Sequence, residues 1–391
     1  MKITRIETLR LNVPHRATTA EPRRPSWWET DEVANPMSGY PHVKRHRDLW
    51  RPKWPDVWVR VIAEDGRFGL GQTINGAPVA AVIEQHLGPQ LLGQDAMATD
   101  TLADMMFRLT KPYGTVGLAS YAISALDLAL WDLKGKALDK PVYDLLGGPT
   151  KPTIPCYATG NDVDWHLELG FDGFKLACPY GPADGKDGIK RNEEFVAKAR
   201  ETIGPNRTLR LDCWMAFDVD YAVELAEALR PYNLAWMEEC LIPEDFEAHV
   251  DLRRRLPWQT LTTGEHWYTH VPFQWAAKHK VVDILQPDLN WCGGLSTCLA
   301  AARACEQSGL SIIPHVGGNT AFGQHFTLAT ACSPMCECFI AAPPGVPLED
   351  HWRLPGVARP VDGQLTPSDA PGFGLEIPDS WFEPFFAESA D

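Results

Sequence analysis

Six polar residues recur along the second half of the chain at nearly constant intervals. They are Asp212, Glu238 (followed by Glu239), Glu265 (followed by His266), Asp288, His315 and Glu337, separated by 26, 27, 23, 27 and 22 residues. Each belongs to a short apolar run: "LRLDCW", "AWMEEC", "TLTTGEHW", "DILQPDLNW", "SIIPHV" and "MCECF". Three carboxylates brought together, Asp212, Glu238 and Glu265, repel one another and raise one another's pKa unless positive charge lies between them. An all-oxygen set with no cysteine or histidine suits a hard cation such as Mg²⁺ better than zinc. Asp288 and His315 suggest a different chemistry. An aspartate that accepts a hydrogen bond from an imidazole fixes its tautomer and raises its basicity, which makes a general base.

The interval itself says what must position these groups. One strand-plus-helix unit advances a chain by about that much, since ~250 residues make eight units of a parallel barrel. The intervening sequence alternates accordingly: "GFDGFKLA" then "RNEEFVAKARETI", "TLRLDCW" then "YAVELAEALRPY", "LAWMEEC" then "FEAHVDLRRRL". It continues with "TLTTGEHW" then "VPFQWAAKHK", "VVDILQPDLNW" then "LSTCLAAARACEQSG", and "LSIIPHV". Repeated βα units of this length predict an α/β fold with a closed parallel barrel, whose catalytic groups sit at one height on the C-terminal rim. "GPADGK" (181–186) lacks the length and the Ser or Thr of a phosphate loop and reads as a polar turn.

Upstream the rhythm differs. "KITRIETLRLNV" and "DVWVRVIAEDG" read as strands, separated by a polar stretch at 14–55 rich in Pro, Arg, His and Trp. A loop of that length is usually functional. The rest of this third reads as helices, clearest in "GLASYAISALDLALWDLKGKAL", and a domain boundary is expected near Thr150.

Composition narrows the partners. With 391 residues the chain is long enough for two domains. A formal net charge of −15 argues against nucleic acid or anionic membrane as a partner, and no apolar run is long enough to span a bilayer. The ten cysteines are not arranged as a disulfide framework, no secretory leader is evident, and reduced thiols in a cytoplasmic protein are expected. Cys332, Cys336 and Cys338 lack the partner ligands of a zinc site.

The motifs "LDCWM", "EEC", "GEH", "QPDLNWCGG" and "IPH", with "ANPMSGY" and "LDLALWDLKGK…PVYDLLGG" upstream, resemble the enolase superfamily, and more closely its L-rhamnonate dehydratase group. The resemblance implies a modified TIM barrel, (β/α)7β, at residues 151–355 behind an N-terminal α+β capping domain at 1–150. The lid loop of that domain is at about 14–55, and a C-terminal segment, 356–391, packs back on the cap. It implies one Mg²⁺ held by Asp212, Glu238 and Glu265, with the His315–Asp288 dyad removing the proton beside a substrate carboxylate. His315 then returns its proton to the departing 3-hydroxyl, so that an aldonate becomes a 2-keto-3-deoxy acid. Glu337, protonated, would hydrogen-bond a carboxylate oxygen, and His266 would face the substrate. Lys175, Trp27, Trp28 and one of Arg45, Arg47 and Arg51 are the candidate substrate contacts. Where many relatives carry Lys-x-Lys on the second barrel strand, this chain has Lys175 and then Ala177, which favours one-sided elimination over racemisation. Trp27-Trp28 replaces the His-Trp pair of the rhamnonate group, which bears on which sugar acid is bound: L-rhamnonate, L-mannonate or L-lyxonate. A lyase or cycloisomerase on the same scaffold, or a non-catalytic sugar-acid binder, are the alternatives, and a homo-oligomer is expected.

Overall fold

The structure is a computed structural model that describes residues 1–40 and 51–386. Its first sheet is antiparallel and lies in the N-terminal part. Strands β1 (Ile3–Leu11), β2 (Val57–Ala63) and β3 (Phe68–Thr73) pair in order, and β13 (Phe382–Pro384), from the far end of the chain, adds to the free edge of β1. Helices α1 (Trp27–Thr30), α2 (Gly76–Val82), α3 (Gly88–Leu91), α4 (Thr99–Leu109), α5 (Leu118–Ala137) and α6 (Val142–Leu145) complete this part. Sequence reasoning reads only helices after β2, so β3 is an addition. Its "FGLGQT" looks like a turn because of its two glycines, yet both are required by packing. A Cβ on Gly69 or Gly71 would collide with the backbone of α5, at Ala129 and Ala125. The glycines let strand and helix approach closely.

The second sheet carries the chemistry. Strands β4 (Ile154–Thr159), β5 (Gly173–Ala177), β6 (Thr208–Asp212), β7 (Trp236–Glu238), β8 (Leu261–Thr263), β9 (Ile284–Leu285), β10 (Ser311–Ile312) and β11 (Cys336–Phe339) run parallel in the spatial order β10-β9-β8-β7-β6-β5-β4-β11. One helix follows each of the first seven: α7 (Val163–Glu168), α8 (Gly185–Ile203), α9 (Val219–Leu229), α10 (Phe246–Arg255), α11 (His270–His279), α12 (Gly294–Ser308) and α13 (Ala321–Ala329). The result is (β/α)7β, with β12 (Gln364–Leu365) lying antiparallel on β4. The unit β4–α7 precedes the repeats legible in the sequence. "GPADGK" forms a 3-10 turn that opens α8.

Alternation sends every second strand residue into the barrel. Register pairs Ala177 with Asp212 and Asp212 with Glu238, so the first two acids share a level. Glu265 stands two residues past its short strand, and Asp288 and His315 three residues past theirs, whereas Glu337 lies within β11 beside Tyr157. The expectation of a single height is therefore corrected: the chain continues past the last ladder pair before it turns. Apolar cores fill the space between strands and helices, and among the described residues no helix is long and apolar enough to cross a membrane. All ten cysteines are free thiols.

Candidate active site

The strand ends turn by unusual backbone. Trp214, Met215, Glu239 and Val316 have φ of 40°, 60°, 47° and 43°, in the left-handed region that side chains other than glycine avoid. They follow Asp212, Glu238 and His315 within three residues. Backbone bonds hold them there: Met215 N donates to Glu239 O at 2.6 Å, and Val316 N to Glu337 Oε2 at 2.9 Å. Such strain persists only where the surroundings over-determine it.

On this rim, ligand oxygens of Asp212, Glu238 and Glu265 lie within 4.8 Å of one another. Glu238 and Glu265 are buried, and Glu238 Oε2 accepts from Trp236 Nε1 and Gln286 Nε2, each at 2.9 Å. Burial first, and then neighbouring carboxylates, push both glutamates up to about 7, although Lys175 opposes this at Glu238. Buried carboxylates crowded in this way favour an added positive charge, and an all-oxygen donor set fits a hard divalent cation.

Lys175, expected at the substrate, is fully buried with its ammonium on Glu238, 2.8 Å from Glu337 and 3.5 Å from Asp212. Glu337 is expected protonated, and its neighbours in the fold instead favour the charged form. Burial raises its pKa, but Lys175, His315 and hydrogen bonds from Lys175 and Thr159 outweigh that and hold it at about 2. Thr159 Oγ1 donates to it at 2.6 Å. Glu337 thus ties β11 to β4, β5 and the His315 turn.

His315 Nδ1 lies 2.8 Å from Asp288 Oδ2, and its Nε2 faces the acid trio, 3.4 Å from Glu265 Oε2. Burial lowers the imidazole pKa, but Glu265 and the Asp288 hydrogen bond prevail and push it up to about 10. Asp288 is set in turn by the capping sheet. Asn290 N donates to Asp288 Oδ1 at 2.7 Å, Asn290 Nδ2 donates to Gln72 O, and Thr73 Oγ1 donates to Asn290 O. The end of β3 thus reaches the dyad through one loop residue.

His266 is held by a residue that sequence reasoning leaves without a role. Glu239, 2 % exposed, lies 2.8 and 3.0 Å from His266 Nδ1 and, after burial, is the main influence that raises this imidazole to about 9. Trp291 stands beside both imidazoles, its ring centroid 5.5 Å from His266 and 4.9 Å from His315. Trp267 instead turns into the helix layer, where its Nε1 donates to Pro243 O.

The described part of the N-terminal loop lies on the opposite side of the rim. Trp27 is buried, donates from Nε1 to Ile340 O at 2.8 Å, and meets Phe339 edge-on; Trp28 is 43 % exposed against the same Phe339. Arg24 and the Trp27 amide bind Asp162, and Ala34 N donates to Cys178 O, so the loop is tied across the ends of β4, β5 and β11. Trp27 therefore packs the loop down, and of the pair Trp28 is the ring with an open face. Arg51 is exposed. Arg45 and Arg47 lie outside the described residues.

Comparison with known proteins decides the family. Residues 162–381 match the family model described as "Enolase C-terminal domain-like", and 51–147 match the mandelate racemase / muconate lactonizing enzyme N-terminal domain. The chain belongs to the enolase superfamily. Among its superfamily relatives is an L-rhamnonate dehydratase of Saccharopolyspora erythraea, 40% identical over 355 residues that cover 90% of each chain. A solved structure of rhamnonate dehydratase from Gibberella zeae complexed with Mg aligns with a TM-score of 0.88 at 30% identity, over 98% of this chain and 96% of that one. The 3,6-anhydro-D-galactonate cycloisomerase from Zobellia galactanivorans, at 24% identity and a TM-score of 0.74 over 98% of this chain and 100% of that one, shares the superfamily fold.

Proposed function

We propose that the protein is a Mg²⁺-dependent acid-sugar dehydratase, a hydro-lyase that turns an L-rhamnonate-like aldonate into its 2-keto-3-deoxy acid. The observation that carries this reading is the orientation of His315. Its Nδ1 is engaged by Asp288, while Nε2 faces the site beside Glu265. The likeness to rhamnonate dehydratases supports the substrate class.

Asp212, Glu238 and Glu265 would hold the ion. When bound, Mg²⁺ supplies positive charge that makes negative charge on the substrate carboxylate tolerable as the adjacent proton leaves. His315 Nε2 takes the proton from C2, and Asp288 stabilises the imidazolium without accepting the proton itself. The same Nε2 returns that proton to the C3 hydroxyl, which departs as water. The enol left behind becomes the 2-keto acid. His266, fixed by Glu239, offers its remaining nitrogen to a substrate oxygen. Lys175, in contact with Glu337, Glu238 and Asp212, offsets the mutual repulsion of the acids. Trp28 and the loop arginines read the far end of the sugar chain. Two residues after Lys175 stands Ala177, which leaves that strand without a second lysine for a base on the opposite face.

The test is a panel of aldonates, L-rhamnonate, L-mannonate and L-lyxonate first, assayed for a semicarbazide-reactive ketone. At least one should react, and chelator should abolish the signal. Binding without turnover across the panel would overturn the reading, as would full activity in His315→Asn.

A further inference from the structure

Two residues below Asp212 on β6, Arg210 also faces the barrel lumen, but towards its N-terminal end. It is 3 % exposed, and its guanidinium carbon lies 4.4 Å from the ring centre of Tyr157 and 4.3 Å from that of Trp236. Nη1 donates to Thr208 Oγ1 at 3.0 Å, and Nη2 reaches only the Met335 sulfur at 3.5 Å. Nε has no acceptor, and the buried Tyr157 hydroxyl has no partner either. Among the described residues no carboxylate comes within ion-pair distance of this guanidinium, whereas the other lumen cation, Lys175, touches three. The two rings offset part of the cost of burying a charge, and burial still pulls the Arg210 pKa down to about 10.

Arg210 lines a cavity of about 610 Å³ that opens at the N-terminal end of the barrel, together with Tyr157, Gly173, Thr208 and Met335. Gly173 shapes its inner wall. A Cβ there would stand 2.8 Å from Arg210 Nη1 and 3.0 Å from both Thr208 Oγ1 and Tyr157 Cβ, so the glycine leaves room around the fork. Two acids also line the cavity. Asp172 is bonded to Arg207 at 3.1 Å, and Asp362 is exposed.

We propose that this cavity is a second ligand site, for a small oxyanion such as a phosphate or carboxylate group, with Arg210 as its charge partner and Thr208 beside it. A buried guanidinium with an unused donor is the residue type best matched to such a group, because its planar fork donates to two oxygens at once. The site lies at the end of the barrel opposite the acids, so its occupancy is independent of the dehydratase reading.

Calorimetric titration of the full-length protein with sodium phosphate, and separately with sodium acetate, tests the proposal. One saturable equivalent of either anion is expected, retained in Asp212→Asn, where the rim site is impaired. Phosphate alone would mark a tetrahedral ligand and acetate alone a carboxylate; either supports the site. Arg210→Met should weaken binding by about tenfold or more, the loss of one charge-assisted contact. Gly173→Ala, which keeps the charge and fills the cradle, should do the same if Arg210→Met fails to fold. No saturable heat with either anion would overturn the proposal, as would undiminished binding in Gly173→Ala, or a crystal soaked in phosphate that shows only water on Arg210 Nε.

Discussion

Histidines occupy two regions of this molecule, half-buried on the rim and buried among the helices, and are driven in opposite directions. On the rim, His315 and His266 are pushed up to about 10 and about 9 by the carboxylates around them, despite burial. In the helix ring outside the barrel, His166 on α7 and His325 on α13 are pushed down to about 3 by burial. Neither ring nitrogen of His166 has a hydrogen-bond partner, and His325 packs against Tyr143 and Phe373. Burial penalises the imidazolium in both places, and only a carboxylate at hydrogen-bond distance reverses the sign. Rim histidines therefore sit where carboxylates stabilise a proton taken up, and ring histidines where burial excludes one.

Variants that hit only one region sharpen the contrast. The largest effect is expected from Asp212→Asn, which disables the acid set: turnover on the best aldonate should fall roughly 10³-fold or more, since several kcal/mol of charge stabilisation is withdrawn. Retained turnover in excess chelator would break the assignment. Next, His315→Asn should cost about 10²–10⁴-fold in kcat, the usual worth of a positioned general base, with circular dichroism unchanged. Glu239→Gln keeps a hydrogen-bond acceptor but removes the charge on His266, and a loss of about 10–100-fold in kcat/KM is expected. Equal kinetics in Glu239→Gln and wild type would reduce Glu239 to a packing residue.

The smallest effect belongs to the ring and concerns stability alone. The folded pKa values of His166 and His325 lie below the ordinary 6.5, so above that pH both states are neutral and nothing is gained. As pH falls below 6.5 the unfolded chain takes up protons that the folded one refuses, and stability declines until about pH 3. Between pH 6.5 and 5.5 the loss should be about 1 kcal/mol for each histidine. Denaturant unfolding of His166→Leu with His325→Phe should show a correspondingly flatter acid limb; an unchanged slope would refute the pairing of burial with proton exclusion.

The sequence disclosed the rim better than its supports. Asp212, Glu238, Glu265, Asp288 and His315 were legible because one residue per βα unit is a periodic signal. Glu239 was not, because strand alternation turns the residue after Glu238 away from the lumen, and only its left-handed backbone brings it back to His266. The surroundings of Glu337 were hidden because Thr159 and Lys175 lie on other strands far away in sequence. The strand β3 was concealed by glycines whose purpose is a helix many residues later. Periodicity reports which face a residue is on; it does not report what crosses from the next element.

The antiparallel sheet takes its fourth strand from residues 382–384, which zip onto Leu9–Leu11, while its other three come from the first 73 residues. During synthesis the early strands emerge from the ribosome long before their last neighbour exists. The exposed edge of β1 must wait while the entire catalytic half is translated. The antiparallel sheet is thus the last part to be finished, and an unfinished polypeptide would present a sticky, unpaired margin to the quality-control machinery.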